Sequence, residues 1–440
     1  MITNSTIVGI IADDLTGAND TALQFKINGA DTNILLKNEI NESKEHIPQA
    51  WAISTESRNV EAQDAFEKVK FATQLLNEKL SPDYFYKKID STVRGNIAVE
   101  ILSAIEVLGW DGAVVIPAFP QEGRITVGGY QLLKGVPIER TEMARDPHSP
   151  INESHLPTLL KKQLGENLEN LVGSIDLKTV LDGAGPIVMA IKEQFAQGKK
   201  IIIADAISTT DIEQIVLAIK KSGCSILPVG NAAAARVFSN DWFAIENKEE
   251  VLPVKLPALP ILIVSGSATQ ITANQINKFE QSAEYDDRCL IIELDMNTVL
   301  SGVDEAIVNR VVSNLALNRI VLIHTSNLIK NFDGFAEDII KADITKAGLA
   351  STITDFLAEL TSKVLEQKKA ILVTLGGETS YKCCNKINAN HLKLIDEVLP
   401  AIALSRSINS DQWIVTKSGN LGGLNTLIEI VQYFDKHMGE

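Results

Sequence analysis

The segment TIVGIIADDLTGANDTALQFKING, residues 6–29, decides how this chain is read. Residues 6–12 form an apolar, β-branched run of strand length that ends abruptly on Asp13 and Asp14. Residues 18–27 then carry a helical pattern that stops at Asn28-Gly29, where glycine accepts the left-handed angles of a helix end. A strand followed at once by a helix is half of a βαβ unit. Ligands of open α/β sheets bind at the carboxyl ends of strands, so the two aspartates, with Thr16-Gly17 opening the helix, stand where chemistry is expected.

The same unit recurs outward along the chain. Strand runs cover residues 33–36, 51–54, 84–88, 113–116 and 201–205, and a helix over 61–80 is stopped by Ser81-Pro82. The class is α/β, a mostly parallel sheet with helices on both faces. Between residues 119 and 157 the pattern lapses into a polar, Gly- and Pro-bearing excursion, read either as a binding element or lid or as a surface hairpin without a role. The stretch NKEEVLPVKLPALP, residues 247–260, has three prolines at short spacing and is expected to be an extended linker. The alternation restarts with runs over 261–265, 290–294, 319–324, 370–375 and 413–417. Two domains are expected, residues 1–246 and 261–440, with a ligand cleft between them.

With 440 residues, 45% hydrophobic and 22% charged, the chain has the apolar content of a globular protein. Its net charge of -15 repels polyanions, so neither nucleic acid nor an anionic membrane is an expected partner. The cysteines Cys224, Cys289, Cys383 and Cys384 show no metal spacing, and reduced thiols in a cytoplasmic protein are the expectation. The apolar run before Asp13 is too short for a signal-peptide core or a membrane span. Of the six histidines, His46, His148, His155, His324, His391 and His437, only His155 lies beside the excursion. No metal site is readable from them.

Five strand ends carry candidate chemistry. Asp14 could accept a hydrogen bond from a substrate hydroxyl or take its proton, with Asp13 as partner or metal ligand; a helix cap is the plain alternative. In KKIDSTVRGNI, residues 87–97, Asp90, Ser91, Thr92 and Arg94 crowd a strand-to-helix turn, and a guanidinium there suits a carboxylate. Arg58, in STESR, could join that site. Ser265, Gly266 and Ser267 begin SGSATQIT, which fits a phosphate cradle or an ordinary turn. Gly376, Gly377, Glu378 and Thr379 lie in LGGETSYK, where Thr379 and Ser380 could cap a helix facing a phosphate. Lys417 and Gly419 lie in TKSGNLGG, with the lysine available for phosphate charge. The chain has no GxxxxGK[ST], GxGxxG or HExxH, and no GxSxG at an elbow.

Taken in order, IADDLTGANDTA, STESR, KKIDSTVRGNI, the run from residue 117 to 150, ESHLPTLL, SGSATQIT, LGGETS and TKSG resemble the four-carbon acid sugar kinase family, its D-threonate kinase branch in particular. The resemblance spans nearly the whole chain. It implies an N-terminal domain that binds a sugar acid and a C-terminal domain that binds ATP with Mg2+. The implied reaction is phosphorylation of the terminal (4-) hydroxyl of D-threonate first, then D-erythronate or an oxo-tetronate. The implied substrate positions are Asp14, Arg58, Lys88, Ile89, Asp90, Ser91, Thr92 and Arg94, with Asp14, Asp90 and Arg94 catalytic. The implied nucleotide positions are Ser265, Gly376, Gly377, Glu378, Thr379 and Gly419, to which the turn chemistry above adds Gly266, Ser267 and Lys417 as candidates. Two departures stand out: Ala401 follows Pro400 where such kinases usually carry glycine, and Asn420-Leu421 replaces a more common Gly-Phe. A homodimer is left open. The competing readings are a sugar-acid dehydrogenase or isomerase, disfavoured by the missing GxGxxG, and a non-enzymatic two-lobed binding protein.

Overall fold

A computed structural model describes residues 6–37, 39–40, 47–145, 149–243, 255–282, 288–317, 319–326, 328 and 345–438. Of the sequence expectations, His46, His148 and linker residues 247–254 lie outside them. The chain divides into two compact units, Met1–Asn247 and Lys248–Glu440. No described helix is long and apolar enough to cross a membrane.

The first unit contains β1 (Val8–Ala12), α1 (Leu15–Ile27), β2 (Thr32–Leu35), β3 (Ala50–Ser54), α2 (Ala62–Leu80), β4 (Tyr84–Lys88), α3 (Ile97–Leu108) and β5 (Gly112–Ile116). After the hairpins β6 (Arg124–Val127), β7 (Tyr130–Leu133) and β8 (Val136–Pro137) come α4 (Leu156–Leu164), β9 (Val172–Ile175), α5 (Leu177–Leu181), α6 (Ala184–Ala196), β10 (Ile201–Ala204), α7 (Thr209–Ser222), β11 (Ile226–Gly230) and α8 (Ala232–Trp242). Its sheet runs β2-β3-β1-β4-β11-β5-β10-β9, and every pairing is parallel. β1, β3 and β5 are buried at every position, so both faces of the sheet are covered. On one face Ile11, Trp51 and Ile53 pack with Val69 and Leu76 of α2 and Ile101 of α3.

Chain order fixes where this sheet can open. The connection leaving β1 leads to β2 and β3 on one side, while that leaving β4 leads toward β5 on the other. Adjacent loops therefore diverge between β1 and β4, the place where open α/β sheets hold ligands. Ala12 pairs with both Ser54 and Lys88, so Asp13, Thr55 and Ile89 all begin loops at one level.

The excursion is regular rather than irregular. Its hairpins turn at Gly128-Gly129 (φ 58° and 75°) and at Lys134-Gly135 (φ 50° and 80°), the paired positive angles that match strand twist. Asp205, at the end of β10, accepts from the N–H groups of Gly128 (2.6 Å) and Gly129 (2.9 Å) and holds the tip down. The Gln131 amide donates to the carbonyls of Pro117 (3.2 Å) and Ser91 (3.3 Å), tying the hairpin to the β4–α3 turn.

The second unit contains β12 (Ile261–Ser265), α9 (Gln270–Glu280), β13 (Cys289–Glu293), α10 (Met296–Ser301), α11 (Glu305–Ala316), β14 (Ile320–His324), α12 (Lys346–Gln367), β15 (Ile371–Leu375), α13 (Gly377–Lys386), β16 (His391–Leu399), β17 (Ile402–Ser407), β18 (Trp413–Lys417) and α14 (Thr426–His437). The strand order is β13-β14-β12-β15-β18-β17-β16, parallel as far as β18 and antiparallel beyond. Its switch point falls between β12 and β15 by the same reasoning. Ile263, Leu322, Val373 and Val415 form a core with Phe279 of α9 and Phe434 of α14.

The Pro400-Ala401 departure lies in the tight turn joining β16 to β17, where Leu399 pairs with Ile402. Ala401 has φ 64°, a left-handed angle that costs an L-residue roughly 1–2 kcal/mol. Ala401→Gly is expected to raise unfolding stability by about 0.5–1 kcal/mol, once the greater freedom of glycine in the unfolded chain is offset. Urea denaturation checks this, and an unchanged or lower midpoint would contradict it.

Candidate functional site: charged and glycine-lined switch points

At the end of β1 the helix starts earlier than the pattern predicts, because Asp14 caps it. Asp14 Oδ1 accepts from the Gly17 N–H (2.7 Å) and Oδ2 from the Thr16 hydroxyl (2.9 Å), so Thr16 and Gly17 belong to the first turn of α1. A Cβ on Gly17 would fall 2.6 Å from Asp14 Oδ1 and 2.9 Å from Lys88 Nζ, which is why no side chain fits there. Lys88 is thereby placed over the start of α1.

The cap does not exhaust Asp14. Arg58 donates from Nη1 to Asp14 Oδ2 (2.6 Å) and from Nε to Asp13 Oδ2 (2.7 Å), and its Nη2 lies 3.9 Å from Asp90 Oδ1. Asp90 in turn sits in the fork of Arg94, with Nε at 2.8 Å and Nη2 at 3.1 Å, and accepts the Thr92 hydroxyl as well. Three carboxylates and the cations Arg58, Arg94 and Lys88 thus close on one another. Burial alone would raise the Asp90 carboxyl, but Arg94 and then Arg58 outweigh it and hold the group well below the usual range. Asp13 is lowered too, with burial opposed by Arg58 and then Lys88. Its Oδ1 is buried with no hydrogen-bond partner among the described residues. Behind this layer Lys87 and Glu100 form a fully buried pair at 2.7 Å.

Two non-glycine residues are strained here: Glu56 at φ 47° and Val93, β-branched, at φ 59°. The Glu56 turn is stitched to β1 by Thr55 N–H to the Ala12 carbonyl (2.9 Å) and Ser57 N–H to the Asp13 carbonyl (3.1 Å). Gly95, at φ 92°, lets the β4–α3 turn approach Arg58, since a Cβ there would lie 2.9 Å from Arg58 Cγ.

At the switch point of the second unit three turns interlock. A Cβ on Gly266 would meet Thr379 Oγ1 at 2.6 Å, and one on Gly419 would meet Ser267 Oγ at 2.5 Å. The Gly419 carbonyl accepts from the hydroxyls of Thr269 (2.7 Å) and Thr272 (2.9 Å). Gly376, at φ 111°, precedes α13 and gives it no side-chain cap.

Two family models match the chain, described as a sugar-binding N-terminal domain over residues 8–238 and a nucleotide-binding C-terminal domain over 262–427. A D-erythronate kinase of Heliobacterium modesticaldum is 30% identical, covering 97% of this chain and 96% of its own. The chain belongs to the four-carbon acid sugar kinase family. That membership makes it a sugar acid kinase. A D-threonate kinase of Salmonella typhimurium is 28% identical, covering 97% of this chain and 98% of its own. In fold, the chain is similar to a Haemophilus influenzae protein of known structure, with TM-score 0.72 at 22% identity over 97% of this chain and 100% of that one.

In this kinase the structure draws Asp14, Arg58, Lys88, Asp90, Thr92 and Arg94 together, but several roles differ from those expected. Arg94 is not an open carboxylate clamp, because its fork already holds Asp90. The Ile89 side chain packs into the core, leaving only its backbone at the turn. Thr379 and Ser380 are not caps: both are buried inside α13, and the Ser380 hydroxyl donates to the Gly376 carbonyl (2.8 Å). Ser265 and Lys417 are fully buried. The Lys417 ammonium bonds the Ser418 carbonyl (2.9 Å), and burial pushes it down to about 7, so it offers no exposed charge. Glu378 engages Lys382 (3.3 Å) and Thr354 (3.2 Å).

Glu56, within STESR, went unassigned in the sequence. Burial, and next the Asp14 carboxylate, pushes it up to about 8. A carboxyl raised in the folded state adds stability that is full below its unfolded value, about 4.3, and is lost as pH climbs through 8. Wild-type stability should therefore fall between pH 5 and 9 by an amount on the order of a few kcal/mol more than that of Glu56→Gln. Urea melts of both proteins at the two pH values test this, and parallel changes would refute it.

Proposed function

We propose that the chain transfers the γ-phosphoryl group of ATP to the 4-hydroxyl of a four-carbon aldonic acid, with D-threonate and D-erythronate ahead of an oxo-tetronate. The observation that carries this reading is the complementary chemistry of the two switch points, charged in the first unit and glycine-lined in the second. In the first, Lys88 and Arg58 attract the acid's carboxylate beside the Arg94–Asp90 pair, while Asp14 and Asp90 accept from its hydroxyls. In the second, the Gly266–Ser267 and Gly376–Thr379 turns approach the phosphates, with Gly419 beside them. In-line transfer then depends mainly on positioning and charge neutralisation.

Magnesium fits this arrangement as a companion of the nucleotide. Among the described residues no group of three His, Cys, Asp or Glu side chains could hold a metal ion. Phosphate oxygens and water would supply most of its ligands, and the ion would neutralise phosphate charge.

The test is ADP release with ATP, magnesium and each of a panel of aldonic acids of three to six carbons, with NAD reduction followed in parallel. Turnover confined to four-carbon acids supports the reading; NAD reduction, or no acid-dependent ADP, overturns it. Gly376→Ala, which forces a side chain onto φ 111°, is expected to weaken ATP binding at least tenfold while leaving acid binding unchanged. Calorimetry with each ligand decides, and wild-type ATP affinity in a folded variant would remove this turn from the nucleotide site.

A further inference from the structure

Phosphorylating a hydroxyl requires a place for its proton, and the three aspartates at the first unit's switch point, Asp13, Asp14 and Asp90, are poorly suited to take it. Asp14 spends both oxygens on Arg58, Thr16 and the start of α1. Asp90 lies in the fork of Arg94, and Asp13 is held by Arg58. A carboxylate stabilised by cations and hydrogen bonds is a weak base.

Glu56 differs in each respect. It follows β3 at the β1/β4 switch point, at the same level as Asp14, and it is half-buried. Its Oε1 accepts from the Leu15 N–H (3.0 Å) and from the Ser54 hydroxyl (2.5 Å). Both contacts fall on that one oxygen, and Oε2 has no hydrogen-bond partner among the described residues. The strained turn is pinned from α2, where Lys68 Nζ donates to the Glu56 carbonyl (3.0 Å) and the Thr55 carbonyl (3.4 Å). Strain maintained by so many bonds fixes the direction of a side chain.

We propose that Glu56 is the proton acceptor of the reaction. This rests on the kinase reading above. As the substrate oxygen forms its bond to the γ-phosphorus, its O–H bond breaks and the proton passes to Glu56 Oε2. The bond from that phosphorus to the bridging oxygen of ADP breaks with its electron pair, and the proton later leaves through the exposed edge of Glu56. The charged groups facing Glu56 are Asp14 from the β1–α1 junction, Arg58 from its own turn and Lys68 from α2. The carboxylate Asp14 strengthens it as a base while Arg58 weakens it, and its resting value of about 8 is near that of a base matched to neutral solution.

Glu56→Gln keeps the acceptor for Leu15 and Ser54 and removes only the proton site. Steady-state kinetics of wild type and Glu56→Gln between pH 6 and 9.5 test the role, alongside ATP affinity and a thermal melt at pH 6. Wild-type kcat/KM should rise to a plateau above about pH 8. The variant should lose that limb and about 10²- to 10⁴-fold in kcat, with unchanged ATP affinity. A variant that keeps wild-type kcat, or loses rate but retains the limb, overturns the role while leaving the kinase reading intact. Should the variant not fold, a wild-type profile flat from pH 6 to 9.5 overturns it as well. No turnover of any four-carbon acid by wild type overturns the kinase reading and this role together.

Discussion

The Arg58 guanidinium is the contact on which the charged site depends. It is largely buried, and it binds Asp13 and Asp14 on one loop while reaching toward Asp90 on another. Removing such a cation would leave three carboxylates underneutralised in a low-dielectric setting, a loss typically of about 3–5 kcal/mol for one broken buried pair. The same contact draws the ends of β1, β3 and β4 into one charged surface built from three separate loops. Burial alone would raise both Asp13 and Asp90, and the arginines reverse that effect.

The two units solve one topological problem with different chemistry. In each, loops leave neighbouring parallel strands in opposite directions and open a crevice at the strand ends. The first fills its crevice margin with paired charges, which suits a small polar anion that must exchange hydrogen bonds on entry. The second lines its margin with positions where any Cβ would collide with Thr379 or Ser267, which suits close backbone approach. Lys417 shows the difference: beneath the second crevice it has a carbonyl rather than a carboxylate as partner, and burial weakens its hold on a proton.

Much of this was legible in the sequence. The parallel α/β class follows from β-branched runs alternating with helical patterns, and strands such as Tyr84–Lys88, Ile261–Ser265 and Trp413–Lys417 begin and end where those runs do. The strand-end positions of Asp14, Asp90 and Gly376 were equally visible, because local chain chemistry places them. Of the two readings of the excursion the hairpin is the one found, but its register is not legible in the sequence, since β7 and β8 are only four and two residues long. The antiparallel strands β16 and β17 were missed.

What each charge is paired with could not be read in advance. Arg58 and Asp13 are 45 residues apart, and their bond exists because β1 and β3 lie side by side in one register, with Ala12 opposite Ser54. Glu56 is an ordinary glutamate in the sequence; only the fold presses it beside Asp14, buries one oxygen against Leu15 and Ser54, and raises its proton affinity. The sequence by itself determined the class of fold, the strand ends and the residue types that stand on them, because those follow from neighbours along the chain. Tertiary structure decided which of them are neutralised, which are buried and which can still exchange a proton, because electrostatic energy depends on distances and burial that exist only once the strands have packed.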